Sequence, residues 1–127
     1  MPEDKPMPSL DGVRVLVVQD DPFIAADLDL MVEDAGGEVV ALAGSLHDAI
    51  TLLRQEPIDA AIVDPDLGEG EGAFVVEELK RRDIPFVLFA QASPGNDLSS
   101  PATWALVTAL AVALKLVTAL EQAQFLI

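Results

Sequence analysis

The stretch VRVLVVQDDP, residues 13–22, determines the fold of this chain. Its first six residues are almost continuously apolar, a pattern typical of a β-strand that is covered on both faces by helices. Two carboxylates and a proline follow directly. Proline is well tolerated in the first turn of a helix, because the N–H that it lacks would have no partner there. The sequence therefore predicts a buried strand that leads through an acidic turn into a helix.

Three further apolar segments follow at regular intervals: EVVALA at residues 38–43, DAAIV at 59–63 and PFVLFA at 85–90. Residues 60–63 and 86–90 are also almost continuously apolar, so we expect these two strands to be covered on both faces. The stretches between them carry apolar residues at helical spacing, so strands and helices alternate along the chain. This alternation predicts an α/β domain with a doubly wound parallel sheet.

The three intervening helices have recognisable ends. We expect the first to begin at Pro22 and to end at Gly36, the second to be capped by Ser45, and the third to span roughly residues 72–82. Their predicted buried faces comprise Ile24, Leu28, Met31 and Ala35 in the first helix, Leu46, Ala49, Ile50 and Leu53 in the second, and Leu79 with Phe74 or Val75 in the third.

The two ends of the chain differ from this regular middle part. Residues 1–12 carry three prolines among charges and no apolar core, so we expect a disordered leader. Residues 91–103 are rich in Ser, Pro, Gly and Asn, which predicts a loop in place of a fourth helix. Residues 104–107 would form a fifth strand, and a last helix would begin at about residue 109. Residues 13–127 are thus expected to form one domain with a five-stranded sheet of order 2-1-3-4-5.

Composition excludes several kinds of partner and site. The chain has 22 acidic and 7 basic residues, a formal charge of −15, which opposes contact with nucleic acid and with anionic membrane surfaces. It has no cysteine, which excludes disulfides and thiolate metal sites. The apolar run at residues 104–120 is short for a membrane span and contains Lys115, so no span is predicted.

Acidic turns follow the first and third predicted strands. Asp20 and Asp21 come after the first strand, and Asp64 and Asp66 come after the third. In a sheet of order 2-1-3-4-5 these strands are neighbours, and ligands bind beyond their carboxyl ends. Carboxylates gathered there repel one another unless a cation compensates, which predicts an Mg²⁺ site. A carboxylate in such a site can attack an incoming phosphoryl group.

The two acidic turns and the repeated strand–helix pattern resemble the receiver domain of bacterial response regulators, over residue 13 to about residue 122. The resemblance implies a flavodoxin-like fold, two-component phosphorelay signalling in the bacterial cytoplasm, and a histidine kinase or phosphotransfer protein as partner. It also implies that Asp64 is the phosphoacceptor. Mg²⁺ would be held by Asp20, by Asp64 and by the main-chain carbonyl of Asp66.

Three positions depart from the pattern of that family. Gln19 stands where a second acidic residue is usual, with Asp21 as a candidate substitute. Ala90 replaces a Thr or Ser that bonds the phosphoryl oxygen, and Thr108 replaces a Lys that contacts the phosphate. Two hypotheses therefore stay open: a phosphorylated receiver with incomplete machinery, and a pseudo-receiver that binds partners without phosphate.

A third hypothesis is enzymatic. Asp64-Pro65-Asp66 also resembles the nucleophile motif of haloacid-dehalogenase-like phosphatases, in which the second Asp is a general acid. Those enzymes usually carry the motif near the first strand, and the downstream Lys and acidic pair that they need are not evident here. Accordingly, we expect at most the acceptance of a phosphoryl group on Asp64.

The last predicted helix is apolar on two nearly opposite faces. A monomer would leave one face exposed, so we predict a homodimer through this helix. His47 and the acidic residues Glu69 and Glu71 are interpreted as surface positions in an ordinary helix start and a flexible loop. The predicted partner face comprises Val112, Leu116, Ala119 and Ala123.

Overall fold

The computed structural model describes residues 10–89, in which four strands alternate with three helices. These elements are β1 (Arg14–Val18), α1 (Pro22–Asp34), β2 (Glu38–Ala43), α2 (Leu46–Gln55), β3 (Ala60–Val63), α3 (Glu71–Arg81) and β4 (Phe86–Leu88). None of the helices in this part of the chain is long and apolar enough to cross a membrane.

The strands form one sheet of order β2-β1-β3-β4, and every neighbouring pair is parallel. The predicted α/β class and the order of the first four strands are therefore confirmed. The predicted loop at 91–103, fifth strand at 104–107 and last helix lie outside the described residues.

Helices cover the sheet on both faces. Val15 and Val17 of β1 pack in one cluster with α1, through Leu28 and Val32. The alternate residues of β1 pack on the other face with α2 and α3, in a second cluster. Because successive side chains of a strand point to opposite faces, a strand between two helical layers is apolar throughout, as predicted for β1 and β3.

β4 is less buried than the sequence predicts. We expected the segment at residues 86–90 to be covered on both faces, but Phe86 and Val87 are only partly buried and Leu88 is 53% exposed. β4 is the outermost of the four described strands on its side of the sheet, so it has one described neighbour instead of two.

The helix ends agree closely with the sequence, whereas one buried face is shifted. α1 begins at Pro22, and Ser45 caps α2 by accepting a hydrogen bond from the Asp48 N–H at 3.1 Å. In α1, Ala25 and Val32 are buried, whereas the predicted Ile24 and Ala35 are only partly buried. The two stripes overlap at Leu28 and Met31, so apolar spacing alone does not distinguish them. In α3, Val75 is buried and Phe74 is 63% exposed.

The folded part begins earlier than the sequence indicates. Leu10, which we placed in a disordered leader, is fully buried, and its N–H donates to the Ala35 carbonyl at 2.8 Å. A Cβ on Gly37 would lie 3.1 Å from the Cβ of Leu10, so the two segments are in close contact. A single leucine after a proline-rich segment gives no periodic signal. Residues 1–9 lie outside the described residues.

Candidate functional site

The carboxyl ends of β1 and β3 lie side by side. Val18 pairs with Val63 across the two strands, and the Asp64 N–H donates to the Val18 carbonyl at 3.0 Å. Asp64 therefore leaves the sheet next to the turn that carries Asp20. Strand order brings together the two acidic turns, as the sequence predicts, with Asp64 half-buried and Asp20 exposed.

The turn after β3 orients the carboxylate of Asp64. Its Oδ1 accepts a hydrogen bond from the Asp66 N–H at 2.9 Å, and its carbonyl accepts one from the Leu67 N–H at 3.2 Å. Leu67 is fully buried and anchors the turn in the core. Within residues 10–89 the second carboxylate oxygen, Oδ2, has no hydrogen-bond partner. One oxygen of Asp64 is thus held while the other stays available.

The first turn of α3 packs directly against this turn. A Cβ on Gly72 would lie 2.7 Å from the Asp64 carbonyl oxygen and 2.8 Å from that of Pro65. Both neighbours are backbone atoms, which cannot rotate away. Glycine at position 72 therefore permits the contact, a requirement that no sequence pattern indicated.

Gln19 is buried and its side chain is engaged within its own turn. It is 7% exposed, and its Oε1 accepts a hydrogen bond from the Asp21 N–H at 3.0 Å. Where receivers usually carry a second acidic side chain, this protein has a neutral amide. The site consequently has one negative charge fewer with which to hold a cation.

Asp21 has a structural role at the start of α1. Its Oδ1 accepts hydrogen bonds from the N–H groups of Phe23 (2.9 Å) and Ile24 (3.3 Å), so it is the N-cap of that helix. A carboxylate in this position also interacts favourably with the helix dipole. The cap engages only Oδ1, so Asp21 stays a candidate for the missing acidic ligand through its other carboxylate oxygen.

The other candidate donors are the carboxylates of Asp20 and Asp64 and the main-chain carbonyl of Asp66. In the described part of the chain, no group of three or more His, Asp and Glu side chains could hold a metal ion. Mg²⁺ is commonly bound through one or two carboxylates and retains several waters. Carboxylate and carbonyl oxygens are ligands of the kind that Mg²⁺ takes.

Several predicted positions lie outside the described residues. They include Ala90 and Thr108, where the receiver pattern has a hydroxyl and a lysine, and so these two departures are known from sequence alone. The predicted dimer face lies there as well, at Val112, Leu116, Ala119 and Ala123.

Glu71, close to the turn that carries Asp64, has a role that the sequence did not indicate. We interpreted it as part of a flexible acidic loop, but it is the first residue of α3, it is half-buried, and its Oε1 accepts a hydrogen bond from the Leu46 N–H at 2.9 Å. The two residues are 25 positions apart, so no local pattern could have indicated the contact. Glu69 and His47 are exposed, as expected.

Comparisons with known proteins identify relatives of this chain. Residues 15–100 match the model of the response regulator receiver domain. Escherichia coli sensor protein TorS is 32% identical over 79 residues, which are 62% of this chain and 9% of TorS. The chain spans 9 to 34% of the length of the curated relatives that it matches.

Solved structures show the same fold. The response regulator PhyR from Brucella abortus superposes with a TM-score of 0.70 and 27% identity, over 87% of this chain and 51% of that one. PhyR from Bartonella quintana, solved in complex with the anti-sigma factor NepR, gives a TM-score of 0.58 and 26% identity over 66% of this chain and 37% of that one. The family model covers more than half of the chain, and the matched residues include the two acidic turns described above. The chain therefore belongs to the family of response regulator receiver domains.

Proposed function

We propose that Asp64 accepts a phosphoryl group and that the protein passes on its phosphorylation state by binding other proteins in a two-component phosphorelay. The position and orientation of Asp64 carry this proposal. It follows β3 beside the end of β1, and the Asp66 N–H holds one carboxylate oxygen at 2.9 Å while the other has no partner within residues 10–89.

The transfer itself needs little from the protein beyond this orientation. An oxygen of the Asp64 carboxylate attacks the phosphorus of a phosphohistidine or an acyl phosphate. A new O–P bond forms while the bond from phosphorus to the donor nitrogen or oxygen breaks, and the leaving group keeps the electron pair. An imidazole leaving group takes up a proton from solvent. An aspartyl phosphate results.

Charge is the main obstacle to this step. Asp20 and Asp64 both repel an incoming phosphoryl anion. Bound Mg²⁺ would offset the negative charge on the transferred oxygens. In our proposal Asp20, Asp64 and the Asp66 carbonyl hold the ion weakly, because Gln19 contributes no charge.

Incubation with acetyl phosphate and Mg²⁺, followed by intact-mass measurement, tests the proposal. The wild-type chain should gain the mass of one phosphoryl group, and Asp64→Asn should gain none. Asp66→Asn is the matched control: it keeps the main-chain N–H and carbonyl of residue 66, so it should label like wild type. Absence of an adduct at saturating donor would refute phosphotransfer.

A phosphate-independent binding module is the second candidate. The buried Gln19 amide favours it, since the Oε1 that replaces an acidic ligand is already used by the Asp21 N–H. Ala90 favours it as well, because alanine has no hydroxyl to bond a phosphoryl oxygen. PhyR has been solved in complex with a protein, NepR, and we extend to this chain only the expectation of a protein partner. Equal partner binding by wild type and Asp64→Asn would favour this candidate.

The proposal includes partners and a location. We expect a histidine kinase or a phosphotransfer protein as phosphoryl donor, in the cytoplasm of a bacterium. We expect stoichiometric labelling and no turnover of a generic phosphate ester. Repeated turnover that requires Asp66 as a general acid would instead favour the haloacid-dehalogenase-like hypothesis.

A further inference from the structure

Helix α3 holds helix α2 at both of its ends. At one end, Oε1 of Glu71 accepts a hydrogen bond from the N–H of Leu46, the first residue of α2, at 2.9 Å. At the other end, Nη1 of Arg82 donates to the Leu53 carbonyl at 3.4 Å. The first N–H groups and last carbonyls of a helix have no partner within that helix. Side chains at the two ends of α3 thus satisfy backbone groups at the two ends of α2.

The hydrogen bond between Glu71 and Leu46 is connected to Asp64 through a continuous series of short contacts. The Asp64 carbonyl accepts from the Leu67 N–H, and the Leu67 carbonyl accepts from the Glu71 N–H at 3.1 Å. Leu67 is fully buried, so the turn between them is anchored. Gly72 lies against the Asp64 carbonyl without room for a methyl group. A displacement of the Asp64 turn must therefore move the start of α3.

A phosphoryl group on Asp64 would displace that turn. It replaces a carboxylate with a larger group of greater negative charge, and it changes the acceptor for the Asp66 N–H, which is 2.9 Å from Oδ1. Glu71 carries its own negative charge at the start of α3. Both effects would change the position of Glu71 relative to Leu46.

We propose that Glu71 is a positioning residue that transmits the state of Asp64 to the N-terminus of α2, so that the α2–α3 surface is the part of the molecule that responds. The proposal rests on the proposed function and deepens it. The responding surface is an open groove of about 600 Å³ lined in part by Leu46, Ile50 and Phe74, with Phe74 63% exposed. A change at Leu46 is therefore a change in the wall of this groove, whose other lining residues are the charged Glu77, Glu78, Lys80 and Arg81.

This route differs from the one that the receiver pattern supplies at the end of the fourth strand. There a Thr or Ser hydroxyl bonds the phosphoryl oxygen, and this chain has Ala90. The contacts from Asp64 through Leu67 to Glu71 involve no residue at that position. They give the site a connection to the surface that does not depend on the missing hydroxyl.

NMR spectra of the ¹⁵N-labelled full chain test the proposal. Amide resonances are recorded before and after the addition of acetyl phosphate and Mg²⁺, and intact-mass measurement follows the formation of the adduct. In phosphorylated wild type the resonance of the Leu46 amide should shift. The rate of its hydrogen exchange should change on the order of tenfold, as expected when one hydrogen bond to a charged group is altered. In Glu71→Ala the amides of Asp66 and Leu67 should still respond while that of Leu46 does not.

Two variants separate transmission from a purely structural role. Glu71→Gln keeps an acceptor oxygen and should restore the response of Leu46. Glu69→Ala removes a neighbouring exposed carboxylate with no partner in residues 10–89, and should respond like wild type. An unchanged Leu46 amide in labelled wild type, or an undiminished response in Glu71→Ala, would overturn the proposal.

The proposal is tested even if no adduct forms. Asp64→Ala removes the acceptor of the Asp66 N–H and perturbs the turn without phosphate. It should shift the Leu46 amide in the wild-type background and leave it unshifted in the Glu71→Ala background. No shift in either background would overturn transmission through Glu71, whereas a missing adduct alone overturns only phosphotransfer.

Discussion

The Asp59 carboxylate accepts three hydrogen bonds from Arg14: from its main-chain N–H (2.9 Å), from Nε (2.9 Å) and from Nη2 (3.0 Å). The Asp59 N–H donates back to the Arg14 carbonyl at 2.8 Å. Arg14 begins β1, and Asp59 directly precedes β3. The pair thus joins the two strands that carry Asp20 and Asp64 at their other ends.

This pair should make stability depend on pH. The side-chain hydrogen bonds from Arg14 hold the pKa of Asp59 below its ordinary value. A carboxyl with a lowered pKa in the folded state contributes stability above its unfolded pKa of about 3.9, and that stability is lost as the pH falls through the folded value. Between about pH 5 and about pH 2, the urea midpoint of wild type should therefore fall more than that of Asp59→Asn.

An exposed carboxylate provides the control for this prediction. Asp27→Asn alters a side chain of α1 that has no partner in the described part of the chain, so it should keep the acid sensitivity of wild type. The side chains of Arg14 and Asp59 are 44% and 35% exposed, so added salt should weaken the effect. Equal acid sensitivity in wild type and Asp59→Asn would contradict the prediction.

Gly72→Ala should disturb the phosphoacceptor turn. In an ordinary helix position this change is stabilising by about 0.5–1 kcal/mol. At position 72 the added methyl would meet the backbone oxygens of Asp64 and Pro65 at 2.7 and 2.8 Å. Overpacking of this kind destabilises by about 1–3 kcal/mol, so the steric effect should outweigh the gain.

Urea titration and the rate of labelling by acetyl phosphate measure this effect. Gly72→Ala should lower the urea midpoint and slow the labelling. Gly44→Ala is the matched control, because a Cβ at position 44 meets nothing within 4 Å. If Gly72→Ala were as stable as wild type and were labelled at the same rate, the contact between Gly72 and Asp64 would affect neither stability nor phosphorylation.

Gln19→Glu should strengthen Mg²⁺ binding. The substitution keeps the length of the side chain and an oxygen that can accept from the Asp21 N–H, and it adds a charge beside Asp20. Since position 19 is only 7% exposed, the new carboxylate should lower the free energy of unfolding when Mg²⁺ is absent. Bound Mg²⁺ should restore it.

Calorimetric titration with Mg²⁺ measures the change. We expect a gain in affinity on the order of tenfold, which corresponds to about 1.4 kcal/mol. Gln55→Glu adds the same charge at the exposed end of α2 and should leave the affinity close to that of wild type. Equal affinities in Gln19→Glu and wild type would indicate that position 19 does not face the ion.

The homodimer predicted from the last helix can be tested by sedimentation. Leu116→Gln places a polar group in the predicted partner face, and should shift the protein towards the monomer. Lys115→Gln changes the adjacent residue outside that face and should leave the mass unchanged. Sedimentation of the wild-type chain as a monomer at all accessible concentrations would contradict this prediction.

Strand order shows how much of the site could be predicted. Parallel strands need helical crossovers, so the alternating pattern predicted a doubly wound sheet, and its order placed the turns of Asp20 and Asp64 at neighbouring strand ends. The sequence did not indicate that the folded part begins at Leu10, because a single leucine forms no periodic pattern of apolar residues. Nor was the buried face of α1, because Ala25 and Ile24 belong to overlapping apolar stripes.

The features that depend on neighbours a few residues apart were predictable from the amino-acid sequence. Pro22 and Ser45 start their helices, strand and helix periods alternate, and acidic residues follow the first and third strands, because caps and periodicities are local interactions. Three contacts became known only from the folded chain: Glu71 accepts from the Leu46 N–H, Gly72 lies against the Asp64 carbonyl, and Arg14 is paired with Asp59. These contacts join segments that are brought together by packing, and no local pattern encodes the distance between them.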